Sequence, residues 1–154
     1  MRRGSELCAF IVDDIQRKAH GPSLLYLKRS KTDQEGRGMW IALSAKCLEA
    51  VDEWLSMAQI QSGPILRAVN QHGHVSERPL NPKSLTEIYR NLAQRAGLPD
   101  YLVRGLTSHS ARVGAAQDLL KSGETLPQIM RRGGWKSPAI VMRYTEQTDL
   151  QPME

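Results

Sequence analysis

The strongest constraint on the fold is the punctuation of one stretch, Thr107 to Thr145, which reads TSHSARVGAAQDLLKSGETLPQIMRRGGWKSPAIVMRYT. Ser108 is placed to cap a first helix, on which His109 and Arg112 lie three residues apart and so share a face. Gly123 ends that helix. Thr125 and Gln128 fit a capping box that opens a second helix, Gly133 and Gly134 stop it, and Ser137-Pro138 starts a third that carries Tyr144. Three helices in quick succession bring His109, Arg112, Trp135 and Tyr144 within reach of one another. An imidazole and a guanidinium on one face can converge on a single anion.

HSARVG, then PQIMRRGGW, then IVMRYT resembles the C-terminal catalytic signature of the tyrosine recombinases, the phage-integrase family. In that family a His-x-x-Arg pair, a His or Trp after a double Gly and a Tyr nine residues later belong to one active site. The resemblance implies those roles for His109, Arg112, Trp135 and Tyr144. It extends upstream: Arg3-Gly4-Ser5-Glu6 matches the Arg-x-x-Glu helix that supplies the family's first catalytic arginine, with Glu6 orienting a neighbour. Arg29-Ser30-Lys31-Thr32 resembles the surroundings of a catalytic lysine on a hairpin, which implies that role for Lys31. Without the resemblance, the first segment reads as a charged helix terminus and Lys31 as a solvated lysine near a hairpin tip.

The family fold implied is mainly α (α+β), a helical catalytic domain with a small three-stranded antiparallel sheet. At 154 residues the chain fits one domain, 1–154. Family members carry a DNA-clasping domain and a further catalytic-domain helix ahead of the arginine at position 3. The chain is therefore expected to be N-terminally truncated, with Leu7 and Phe10 short of apolar cover and self-association as a consequence. After Tyr144 the segment TEQTDLQPME reads as a loose polar tail.

Taken in order, residues 15 to 43 read as an antiparallel sheet, with SLLYLKR and MWIAL as strands around the turn-rich TDQEGRG. Ser44 opens a helix whose Leu48, Val51, Leu55 and Ala58 form a core-facing stripe, with Trp54 packing nearby. An irregular connection follows, with a short hairpin around Gly73. Asn81-Pro82 opens the next helix, with Leu85, Ile88, Leu92 and Ala96 inward, Gly97 at its end, and Lys83, Arg90 and Arg95 on the opposite face.

The 21 Lys and Arg against 16 Asp and Glu give a formal charge of +5, a balance that suits double-stranded DNA without requiring it. In the resembling fold the helix opened by Asn81-Pro82 lies in the DNA major groove, which makes Lys83 and Ser84 candidate contacts and equally a solvated helix face. Lys28, Arg29 and Arg37 read as phosphate contacts or as plain solvated charges, and Arg104 as a further phosphate ligand. Cys8 and Cys47 are too few for a disulfide framework and read as reduced thiols in a helical core. His72 and His74 lack a third ligand, so no metal or other cofactor is expected. No 18-residue apolar run or signal-peptide pattern occurs, so the expectation is a cytoplasmic, nucleoid-associated protein of prokaryotic or phage origin, with no membrane or small-molecule partner.

These residue types fit phosphoryl transfer to a tyrosine. Guanidiniums at Arg3 and Arg112 can fork onto non-bridging phosphate oxygens, and His109 and the Trp135 indole N–H can donate to the same group. Tyr144 is the nucleophile, His109 can accept its proton, and Lys31 is the choice for general acid toward the leaving alkoxide. Cationic side chains then supply the charge that a magnesium pair supplies in many nucleases. Two other readings stand beside this one. TLPQIMRRGGWKSPAIVMRY also reads as a helix-turn-helix of a DNA-binding regulator, and a recombinase remnant could keep the fold without the activity.

Overall fold

The computed structural model describes residues 2–30, 33 and 36–146. It divides into two compact units, one formed by Ser5–Pro82 and one by Met1–Gly4 with Lys83–Glu154.

In Ser5–Pro82, helix α1 (Gly4–Ala9, all but its first residue in this unit) and a 3-10 turn at Val12–Asp14 lead into a sheet of β1 (Ile15–Gln16), β2 (Leu24–Leu27) and β3 (Met39–Ala42). The strands are antiparallel in the order β1-β2-β3. The register sets Leu25 opposite both Ile15 and Ile41, and Leu27 opposite Met39, so alternate side chains gather on one face. On the opposite face Tyr26 pairs across the strands with Trp40, ring centroids 4.8 Å apart. The inward face packs on α2 (Ala45–Met57), where Phe10, Leu27, Leu55, Ile60 and Ile65 form the buried cluster. Burying each of these side chains contributes roughly 1.5–3 kcal/mol.

Local chemistry accounts for the ends of α2. The Cys47 N–H donates to Ser44 Oγ at 3.2 Å, the expected cap. At the far end the Ile60 N–H donates to the Leu55 carbonyl and the Gln59 N–H to that of Ser56, with Gln59 in the left-handed region at φ 54°. Trp54 packs beside the cluster and donates its indole N–H to the Ile65 carbonyl at 2.7 Å. The hairpin expected around Gly73 is β4 (Arg67–Val69) with β5 (Val75–Pro79), where Asn70 Oδ1 accepts from the N–H groups of His72 and His74.

Two expectations change here. Phe10 is 5% exposed and sits in the cluster with Leu7 packed against it, so neither lacks apolar cover. Cys8 is buried, and burial pushes its thiol pKa up, but Cys47 is exposed in the first turn of α2 and not in a core.

The other unit is helical: α3 (Ser84–Arg95), α4 (Asp100–Gly105), α5 (Ser110–Lys121), α6 (Leu126–Gly133) and α7 (Pro138–Thr145). Its last three helices pack around Ala116, Ile129, Trp135 and Val141, with Leu119, Leu120, Leu126, Met130 and Tyr144 at the margin. The capping box at α6 is as read, the Thr125 N–H donating to Gln128 Oε1 at 2.7 Å. Ser137 and Pro138 start α7, and Gly123 follows the end of α5.

The first helix of this trio departs from the reading. His109, not Ser108, is in the cap position of α5, and the reciprocal bonds are the Thr107 N–H to Ser110 Oγ at 3.0 Å and the Ser110 N–H to Thr107 Oγ1 at 3.3 Å. On α3 the buried residues are Leu85 and Ala93, whereas Ile88, Leu92 and Ala96 are exposed. Asp100–Gly105, for which the sequence carries no clear periodicity, forms α4. The polar tail 147–154 lies outside the described residues.

Candidate active site

Five of the six residues expected to do chemistry, Arg3, His109, Arg112, Trp135 and Tyr144, fall in the same compact unit. The sixth, Lys31, lies outside the described residues.

The arrangement begins at the turn between α6 and α7. Gly134 adopts φ 66° and closes α6, with its N–H donating to the Met130 carbonyl. Gly133 is held for a different reason: a Cβ there would collide with the six-membered ring of Trp135. The paired glycines thus turn the chain and fold the indole back onto the core, leaving Trp135 only 8% exposed. One face of that indole receives Arg112, whose Cζ lies 4.5 Å from the ring centroid. Arg112 is itself 5% exposed, and a guanidinium so far from bulk water gains about 2 kcal/mol or more from an aromatic face.

Tyr144 completes the cluster. Its ring stands edge-on to Trp135, centroids 6.0 Å apart at 65°, and edge-on to His109, 5.4 Å at 72°. His109 is exposed at the entry to α5, one helical turn before Arg112. Gln117, on α5, donates its side-chain N–H to the Tyr144 carbonyl at 3.0 Å, which ties the end of α7 to α5. The order in space is therefore Arg112 on Trp135, Trp135 beside Tyr144, and Tyr144 beside His109.

Arg3 is half-buried just before α1, while its neighbour Arg2 is 6% exposed with its guanidinium packed against Gly134. Sequence reading passed over Arg2, since nothing in the motif separates two adjacent arginines. It also passed over Gln117, whose contact is made across 27 residues of sequence. In Ser5–Pro82, Glu6 is buried and accepts from Ser30 Oγ at 2.8 Å, next in sequence to Lys31.

Among the candidate DNA contacts, Lys83 is exposed at the entry to α3, Ser84 is half-buried in its first residue, and Arg104 is exposed in the last turn of α4. Arg29 and Arg37 are exposed as well. Lys28 has a structural partner: its ammonium lies 2.9 Å from the carboxylate of Asp14, a buried group that also accepts from the Ile11 N–H. Among the described residues no group of three or more His, Cys, Asp or Glu is placed to hold a metal ion, and no helix is long and apolar enough to cross a membrane.

The sequence model of the Phage integrase family matches residues 1–151. The chain belongs to the phage integrase family. The recombinase Cre of Escherichia phage P1 is 31% identical over 159 residues, covering 96% of this chain and 46% of that protein. An integrase/recombinase XerD homologue of Selenomonas ruminantium is also 31% identical, over 154 residues, covering 96% of this chain and 44% of that protein. The crystal structure of XerA recombinase superposes with a TM-score of 0.70 at 18% identity, covering 99% of this chain and 53% of that one. This phage integrase family chain thus spans about half the length of the relatives it matches, and the fold is the family's: helices with a small three-stranded antiparallel sheet.

Proposed function

We propose that this chain is the catalytic domain of a site-specific DNA recombinase that cuts and rejoins strands through a phosphotyrosine. The observation that carries the reading is the packing of Tyr144 against His109 and Trp135 with Arg112 seated on the same indole. A phenol beside an imidazole, and a buried guanidinium gathered through the shared indole, are the parts needed to move a phosphoryl group to a tyrosine.

In the proposed step Tyr144 Oη bonds to the scissile phosphorus as the bond to the 5′ oxygen breaks, leaving a 3′-phosphotyrosine and a 5′-hydroxyl. His109 takes the phenolic proton, and the Lys31 ammonium supplies the proton that the leaving oxygen requires. Arg112 and Arg3 neutralise the non-bridging oxygens, whose charge grows in the five-coordinate transition state, and the Trp135 N–H donates to the same group. Attack by the 5′-hydroxyl of another strand on the phosphotyrosine reverses every bond change and joins new partners. Glu6 acts indirectly, by holding Ser30 and so the chain that enters Lys31.

Duplex DNA is the proposed partner. Lys83 and Ser84 at the entry to α3, Arg104, Arg29 and Arg37 are its candidate contacts, with Lys28 divided between DNA and Asp14. Self-association on DNA belongs to the same proposal and is supported by the apolar side chains Ile88, Leu92, Tyr101 and Leu102, which α3 and α4 leave exposed. The protein would work in the cytoplasm, where its substrate is.

A duplex nicked beside the cleavage site, so that the released oligonucleotide diffuses away, tests the reading. A recombinase accumulates a covalent protein–DNA band that Tyr144→Phe eliminates. Reversible, salt-sensitive binding with no such band would favour a DNA-binding regulator or an inactive remnant.

A further inference from the structure

Arg90 reads from sequence as one of several cations on the outer face of α3, available to solvent or phosphate. Its side chain is committed elsewhere. The Nε–H donates to the Leu106 carbonyl at 3.0 Å and the Nη2–H to the Arg104 carbonyl at 2.9 Å, so one planar fork grips both ends of the turn that closes α4. Four residues earlier on α3, and thus on the same face, Thr86 Oγ1 accepts from the Ser108 N–H at 3.3 Å. Residues 106–109, which join α4 to α5, are therefore tied to α3 by two side chains one helical turn apart. The next bonds along the chain are the Thr107 and Ser110 pair that starts α5.

We propose that Arg90 is a positioning residue that sets where α5 begins, and through it the placement of His109 and Arg112 in the active site. This rests on the recombinase reading and deepens it. His109 sits between the clamped link and the first turn of α5, so a shift of the link is passed to its imidazole directly. Arg112 follows one turn later, but it is also seated on Trp135, and so is less sensitive. A carbonyl clamp requires a forked donor. Lysine carries its three donors on a single nitrogen, so it cannot reproduce the spacing of the two guanidinium N–H groups and restores only part of the geometry. Because α3 is also the helix proposed to meet DNA through Lys83 and Ser84, Arg90 would link the seating of that helix to the seating of the general base.

The test uses the full chain with Arg90→Ala and Arg90→Lys. Three quantities are followed: the dissociation constant for duplex DNA, the rate of covalent attachment to the nicked duplex at saturating DNA, and the His109 imidazole resonances against those of His20, His72 and His74. The expected result is an attachment rate lowered ten-fold or more in Arg90→Ala and less in Arg90→Lys, a dissociation constant changed less than three-fold, and a shift confined to the His109 signal. An unchanged attachment rate, or a loss entirely in DNA affinity with His109 unmoved, would overturn the proposal and return Arg90 to the phosphate contacts. Should Arg90→Ala fail to fold, Arg90→Lys carries the same comparison. If the unaltered chain forms no covalent band, the recombinase reading fails for this chain. The His109 resonance then decides the clamp alone, and a stationary signal refutes it.

Discussion

The two compact units build their interiors in opposite ways. In Ser5–Pro82 the buried hydrophobic cluster is wholly aliphatic and aromatic, Phe10, Leu27, Leu55, Ile60 and Ile65, and the buried carboxylates are met by partners, Glu6 by Ser30 and Asp14 by Lys28 and the Ile11 N–H. In the helical unit Ile129 and Val141 are the most completely buried large side chains among the described residues, and the cluster is completed by an indole that carries a buried guanidinium. One interior is filled for stability. The other combines small and aliphatic side chains with Trp135, which serves packing and the proposed site at once.

Substitutions that separate the two cases should follow a definite order. Trp135→Ala removes both core volume and the seat of Arg112, and should cost about 3–5 kcal/mol in denaturant unfolding, abolishing covalent attachment with it. Arg112→Lys keeps the charge and loses the fork. It should slow attachment to nicked DNA about 10²-fold, roughly 2.7 kcal/mol, while the melting temperature moves far less. Leu27→Ala, in the aliphatic cluster, should destabilise by about 2–4 kcal/mol at no cost in attachment rate for the protein that remains folded. An equal loss of rate there would erase the distinction between the interiors. Smallest of all, Gln59→Gly relieves a left-handed backbone at the end of α2 and should raise stability by about 0.5–1 kcal/mol in the same unfolding assay.

The alkaline side offers a probe confined to Ser5–Pro82. Burial raises the pKa of Cys8, so its contribution to stability is full below the unfolded thiol's pKa and declines as pH rises above it. Folded protein titrated with an aromatic disulfide reagent should therefore react once and fast, at Cys47, and a second time only on unfolding. Two fast equivalents would show that Cys8 is reachable in the folded protein.

What sequence revealed was mostly what is decided within one helical turn. The Thr125–Gln128 box, the Ser137-Pro138 start, the glycines at 123 and 134 and the Ser44 cap are contests between a side chain and its own backbone, and each is visible locally. The grouping of His109, Arg112, Trp135 and Tyr144 was legible because their residue types and spacings resemble the family's signature. Failures came where the partner is remote. Ser108 looked like the cap of α5, but its N–H donates to Thr86 on another helix and His109 takes the cap position. Ile88 and Leu92 have helical spacing, yet periodicity does not reveal how wide the covered stripe is. Arg2, Arg90 and Gln117 act across gaps in sequence that no local pattern encodes.

The collision that any side chain at Gly133 would make with the Trp135 ring has a consequence for how this protein could change over time. Position 133 admits no adjustment by a single methyl, so the turn between α6 and α7 behaves as a fixed spacer, and the distance from indole to phenol is inherited as a unit. Any change in what the protein recognises would have to be written on the exposed helix faces, leaving this turn untouched.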